Sequence, residues 1–168
     1  MAQLRKQESS FKGTIGKTLN DSEPWFELPQ HPGEDAPNVV VVLLDDTGFA
    51  QLGCYGSSID TENIDNLAAD GMQFTNFHVT PLCSPTRASL LTGRSQHAVG
   101  MRSVSNFRTG FPHMLGHITN EAATMAEIFQ AEGYATFCAG KWHLAPLENC
   151  SSAGPFAQWP RGSGLERF

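Results

Sequence analysis

Cys83 stands four residues before Arg87 in the run Cys83-Ser84-Pro85-Thr86-Arg87, which continues as Ala88-Ser89-Leu90-Leu91-Thr92-Gly93-Arg94. Four residues is close to one helical turn, so on a helix the guanidinium reaches back toward the Cys83 side. Ser84 suits an N-cap and Pro85 the first helical position. A helix N-terminus and a guanidinium together put positive potential on one spot, which would hold an anion beside a candidate nucleophile. The plain alternative is an inert, partly buried cysteine. That alternative is assigned to Cys54 in a Gly-rich turn, Cys138 in a strand pattern and Cys150 in a loop with no base beside it.

Two further groups could serve the same anion. Asp45 and Asp46 are adjacent carboxylates that repel, so one of them needs a cation or a proton nearby. Hard oxygen ligands suit Ca²⁺ or Mg²⁺. The alternative is a solvated turn, where Asp is common. Lys141 and His143 lie two apart, and in extended chain both side chains point the same way. They could bring charge and acid–base chemistry to an anion, or be one surface lysine and one packed histidine. Other signals fail. His113 and His117 have i, i+4 spacing, but Gly116 weakens a helix there and no third ligand is near. Gly13 to Lys17 imitates a phosphate loop with the wrong glycine spacing, and there is no G-x-S-x-G elbow. His78 and His97 read as packing or supporting residues.

The elements that would position these groups follow from periodicity. Residues 38–44 hold four consecutive valines and two leucines, the pattern of a central strand buried on both faces. Residues 61–69 read as a helix with Thr61 as cap and Gly71 as stop. Residues 72–79 suggest a strand, and the Cys83 segment a helix ending near Gly93. Residues 121–132 suggest a helix capped by Thr119 or Asn120, with Met125, Ile128 and Phe129 inward. Residues 134–139 suggest a strand ending at Gly140-Lys141-Trp142-His143. Strands alternating with helices argue an α/β fold. Both main strands deliver polar groups at their carboxyl ends, where open α/β sheets bind ligands.

Residues 1–37, punctuated by Pro24, Pro29, Pro32 and Pro37, read as an extended arm that packs through Trp25 and Phe26. Residues 38–168 form the second part. At 168 residues the chain can build one modest core. A net charge of -6 excludes a global field for nucleic acid or an anionic membrane. No apolar run spans a bilayer, and Met1 to Glu8 lack the apolar region of a signal peptide. The four cysteines show neither a disulfide framework nor zinc spacing. The expected compartment is a reducing cytoplasm.

Beside this reading stands a family resemblance. Pro81-Leu82-Cys83-Ser84-Pro85-Thr86-Arg87-Ala88-Ser89-Leu90-Leu91-Thr92-Gly93 resembles the first signature of type I sulfatases. Gly133-Tyr134-Ala135-Thr136-Phe137-Cys138-Ala139-Gly140-Lys141-Trp142-His143 resembles the second, in the family's order. Val41 to Gly48 resembles the metal-binding strand end that opens sulfatase domains. The resemblance runs from about Asn38 to Phe168.

The resemblance implies an alkaline-phosphatase-like α/β fold, a mixed or parallel sheet flanked by helices. It implies that a formylglycine-generating enzyme, acting as partner, oxidises Cys83 to formylglycine. The recognised core C-x-P-x-R is present, with Thr86 in place of the commoner serine. It implies that Asp45, Asp46 and modified Cys83 bind a divalent cation, usually calcium in the family. One oxygen of the hydrated aldehyde attacks the sulfur of a sulfate ester, an aryl sulfate in the first instance, and the alcohol leaves. Deprotonating the second hydroxyl then expels sulfate. In that scheme Arg87 orients the diol, Lys141 bridges nucleophile and sulfate, and His143 hydrogen-bonds the diol and assists elimination. Family members are several-fold longer, and Gly164-Leu165-Glu166-Arg167-Phe168 resembles an internal segment of them. The expectation is therefore an incomplete, N-terminal portion of the fold, inactive alone. A phosphonate monoester or phosphodiester hydrolase on the same scaffold, or a non-catalytic remnant, are the alternatives.

Overall fold

A computed structural model of the chain describes residues 11–26, 28 and 31–168. The chain divides into two compact units, Met1–His31 and Pro32–Phe168. In the first, Thr14 and Glu23 pair antiparallel through two backbone bonds of 3.0 and 2.9 Å. The Leu19–Asp21 3₁₀ turn lies inside that loop. Trp25 is half-buried with the Lys12 ammonium 5.7 Å from its ring centroid, a cation–π distance. Phe26 is exposed.

The second unit carries three α-helices: α1, Glu62–Asp70; α2, Cys83–Thr92; and α3, Met125–Ala131. Short 3₁₀ turns occur at Phe49–Gln51, Gly53–Tyr55, Leu147–Asn149 and Pro160–Ser163. α1 begins after Thr61 and stops before Gly71, as its pattern predicts. The Thr61 hydroxyl does not cap the helix. It accepts from Gly53 N (2.8 Å) and donates to Asp65 Oδ1 (2.9 Å), while the same carboxylate oxygen takes Cys54 N (2.7 Å). These bonds tie α1 to the Gly53–Tyr55 turn.

Two helix starts differ from expectation. α2 begins at Cys83 itself, with Leu82 at the N-cap, so Ser84 and Pro85 lie inside the first turn. Ser84 is fully buried, and its Oγ accepts from Ser105 N instead of capping its own helix. α3 begins at Met125 rather than 121, because Thr124 and Glu127 form a reciprocal capping box. Ala126 is the α3 residue turned inward, and Ile128 is exposed.

The larger correction concerns the sheet. Among the described residues there is no strand, only isolated bridges such as Met101↔Met114 and Phe137↔Arg167. Segment 134–139 contributes one bridge residue, and 38–44 and 72–79 contribute none. A strand is stabilised by its ladder, and these segments find no ladder partner among the described residues. Their apolar side chains consequently face solvent: Val40 is 83% exposed and Val42 76%. No helix among the described residues is long and apolar enough to cross a membrane.

The core instead lies behind α2. Ala88, Val99, Met101, Ala122 and Leu144 are buried together, with Leu91, Ile118 and Trp142 packed against them. Ser84, Ala88 and Leu91 follow i, i+4, i+7 spacing, one face of a helix. Two of the three are small, which lets neighbouring backbone approach closely. Gly93 ends α2 in the left-handed conformation, its N–H bonding Ser89 O.

Candidate active site

The face of α2 beside that buried stripe carries Cys83 and Arg87. Opposite them, segment 141–144 alternates: Trp142 and Leu144 turn to the core, Lys141 and His143 away from it. Period-2 alternation survives here without a ladder. His143 adopts φ 54, so the segment kinks where extended chain is expected. Both side chains still reach one cluster. His143 Nδ1 lies 3.1 Å from Cys83 Sγ. Lys141 Nζ donates to Asp45 Oδ2 at 2.7 Å, and Arg87 Nη2 to Asp45 Oδ1 at 3.2 Å. Arg87 Nη1 also donates to Lys141 O. Five sequence-selected residues, from three distant segments, therefore meet.

Asp46 follows in the turn at φ 54, a left-handed conformation that Asp tolerates better than most residues. It is exposed and takes no part in the ion pairs among the described residues.

The electrostatics follow from these contacts. The hydrogen bond from Lys141 lowers the Asp45 pKa, with Arg87 adding to the effect against partial burial. The same bond raises the Lys141 pKa. Burial lowers the His143 pKa, and the nearby cations Lys141 and Arg87 lower it further. Because the Asp45 pKa is lowered on folding, its pairing stabilises the fold above the ordinary carboxylate pKa. That contribution is lost as pH falls through the lowered folded value. Both side chains are 39% exposed, so solvent screens it. Carbon-13 titration of the Asp45 carboxyl is expected to give a midpoint below the usual carboxylate value. Lys141→Met should move it upward, and further than Arg87→Met does. The reverse ranking would contradict the arrangement.

One donor stands apart. Arg87 Nε is buried and has no acceptor among the described residues. Buried N–H groups are nearly always paired, so an orphan inside a polar cluster marks a place where an oxygen belongs.

Asp45 and Asp46 offer hard carboxylate oxygens, and Asp45 is kept ionised by two cations. That donor chemistry fits a divalent cation. Among the described residues no three His, Cys, Asp or Glu side chains gather as a metal cluster. The described residues thus supply part of a ligand set.

The residues set aside on sequence stay outside the cluster. His113 Nδ1 bonds His97 O, His117 Nδ1 bonds Ile118 O, and His78 Nε2 bonds Asn76 Oδ1. All four cysteines are free thiols. A cavity lined by Ile118, Thr124, Glu127, Trp142 and Leu144 contains none of the clustered residues. One member of the site had no sequence signal: Asn106, whose Oδ1 lies 3.1 Å from His143 Nε2. It stands outside both motifs in a stretch with no recognisable spacing.

The family model for sulfatases matches residues 37–168. The chain belongs to the sulfatase family. It is 47% identical to human arylsulfatase A over 138 residues, 79% of this chain and 24% of that protein. It is 38% identical to human arylsulfatase D (79% and 22%) and 37% identical to mouse steryl-sulfatase (83% and 23%). The chain spans about a quarter of the length of these relatives. Sulfatases generally use a formylglycine and a divalent cation. Their domain is alkaline-phosphatase-like, whereas the described residues here form helices without a sheet.

Proposed function

We propose that this segment carries half of a sulfatase catalytic centre, hydrolysing sulfuric esters, aryl sulfates among them, within a protein of its relatives' length. The observation that supports this most directly is the meeting of Cys83, Arg87, Lys141, His143 and Asp45. In this reading residue 83, converted to formylglycine by a formylglycine-generating enzyme, supplies the nucleophilic oxygen. A buried Arg87 Nε without an acceptor among the described residues fits a site that takes a further oxygen, and a thiol accepts hydrogen bonds only weakly. Arg87 and Lys141 offset the negative charge of the transferring group. His143, neutral because burial and two cations disfavour its charged form, takes and returns a proton at residue 83. Asp45, Asp46 and residue 83 would hold the cation, calcium in this proposal. When bound it supplies Lewis-acid polarisation and lowers the cost of the nucleophile's charge.

Within the longer protein, 38–44 and 134–139 join a parallel or mixed sheet and lose their exposure. The four free thiols fit a reducing compartment such as the cytoplasm. Mass spectrometry of the peptide holding Cys83, from cells that contain the modifying enzyme, tests the reading. An aldehyde at position 83 is expected. A retained thiol would count against it.

A further inference from the structure

His143 is held at both ring nitrogens. Cys83 Sγ lies 3.1 Å from Nδ1, and Asn106 Oδ1 lies 3.1 Å from Nε2. A neutral imidazole has one N–H donor and one lone-pair acceptor, and the partner at one nitrogen decides the role of the other. A carboxamide oxygen can only accept. It therefore favours the proton on Nε2 and leaves the Nδ1 lone pair facing residue 83.

Asn106 is built into this place. Ser105, fully buried, donates its N–H to the fully buried Ser84 Oγ at 3.2 Å, which fastens the loop to the first turn of α2. Phe107 N closes the turn on Val104 O at 3.0 Å. Ser105 Oγ donates to Asn106 Oδ1 at 3.4 Å, a second contact to the oxygen that faces the ring. Space for the loop comes from Gly116, at φ 72: a Cβ there would sit 2.8 Å from Ser105 O. The helix that carries Cys83 thus also carries the loop that holds the histidine facing it.

We propose that Asn106 is a positioning residue that fixes His143 in its Nε2–H tautomer, so that Nδ1 is the proton acceptor toward the side chain at position 83. The role in turnover rests on the sulfatase reading; the tautomer does not. In the proton transfer the O–H bond at residue 83 breaks, its electron pair stays on oxygen, and an N–H bond forms at Nδ1. The Nε2–H···Oδ1 bond persists and becomes charge-assisted, so the ring need not turn between the two states.

The test is two-bond ¹H–¹⁵N correlation of the ¹⁵N-histidine-labelled 168-residue chain, at a pH of about 8.5, well above the ordinary imidazole value. The His143 signals are those lost in His143→Gln. The expected result is a single tautomer, Nε2 protonated and Nδ1 bare. Asn106→Ala should give averaged nitrogen shifts from a tautomer mixture, and Asn106→Asp, which keeps an acceptor, should restore the Nε2–H form. A purely structural role would not sort the variants by acceptor. Protonation on Nδ1 in the unsubstituted chain would overturn the proposal, even if Asn106→Ala fails to fold. So would a folded Asn106→Ala with the tautomer unchanged. An Nε2–H ring beside a Cys83 that the modifying enzyme leaves as a thiol would overturn the sulfatase reading alone.

Discussion

Replacing Cys83 with alanine in a sulfatase-length protein that contains this segment should cut turnover of p-nitrophenyl sulfate by on the order of 10⁴-fold or more. Alanine has no sulfur to oxidise and offers no nucleophile to the ester. The loss should fall on kcat rather than KM. Arg87 and Lys141, the groups whose charge faces an anion, keep their positions on Asp45, so ground-state binding of the sulfate group survives. Cys54→Ala is the control, since the Cys54 contacts are a backbone N–H to Asp65 and a carbonyl to Gln73. The 168-residue chain alone is expected to show no turnover even after coexpression with a formylglycine-generating enzyme, for it offers only part of a cation's ligands. A Cys83→Ala protein retaining a tenth of the parent rate, or measurable turnover by the short chain, would contradict this.

How much of this was legible in the sequence depends on how local each signal is. α1 was legible because Thr61 and Gly71 bracket nine residues of helical pattern. The end of α2 was legible because glycine takes the left-handed C-cap position cheaply. The start of α3 was also written in the chain, as Thr124 and Glu127 in capping-box spacing, but the acidic, alanine-rich stretch ahead of it imitates a helix. The convergence of Cys83, Arg87, Lys141 and His143 was expected at the carboxyl ends of two strands and from the family signatures; the side chains do cluster, although the strands are not there among the described residues. That both Lys141 and Arg87 would choose Asp45 over Asp46 was not legible, because the two carboxylates are adjacent and identical in type, and the choice depends on contacts with residues 42 and 96 positions away. Asn106 was invisible for a similar reason: its place depends on a buried serine pair, 21 residues apart, that no periodicity records.

The sheet failed differently. Periodicity reports what a segment would do if given partners. The valines of 38–44 have the composition of a buried strand and the exposure of a loop, because strand pairing is non-local and burial is a property of the whole assembly. The residues that are buried, Ala88, Met101 and Leu144, come from segments with weaker apolar runs, gathered by α2.

That inversion gives the second large effect. Met101→Ala should destabilise the 168-residue chain by about 2–5 kcal/mol, the range for truncating a buried large side chain. Met101 is fully buried among Ala88, Val99 and Leu144, and its N–H is bonded to Gln96 O at 2.8 Å. The backbone around it is therefore not free to collapse into the void. A small domain holds only about 5–15 kcal/mol in total, so this one substitution takes a large share. Val42→Ala, in the segment a sequence reader would place at the centre of the core, should change stability by no more than about 0.5 kcal/mol, as exposed sites do. Urea unfolding followed by tryptophan fluorescence separates the two, since Trp142 packs against the core. A larger cost at Val42 than at Met101 would mean that the valine run is the buried element after all. The cluster of Cys83, Arg87, Lys141, His143 and Asp45 would then rest on a different core from the one behind α2.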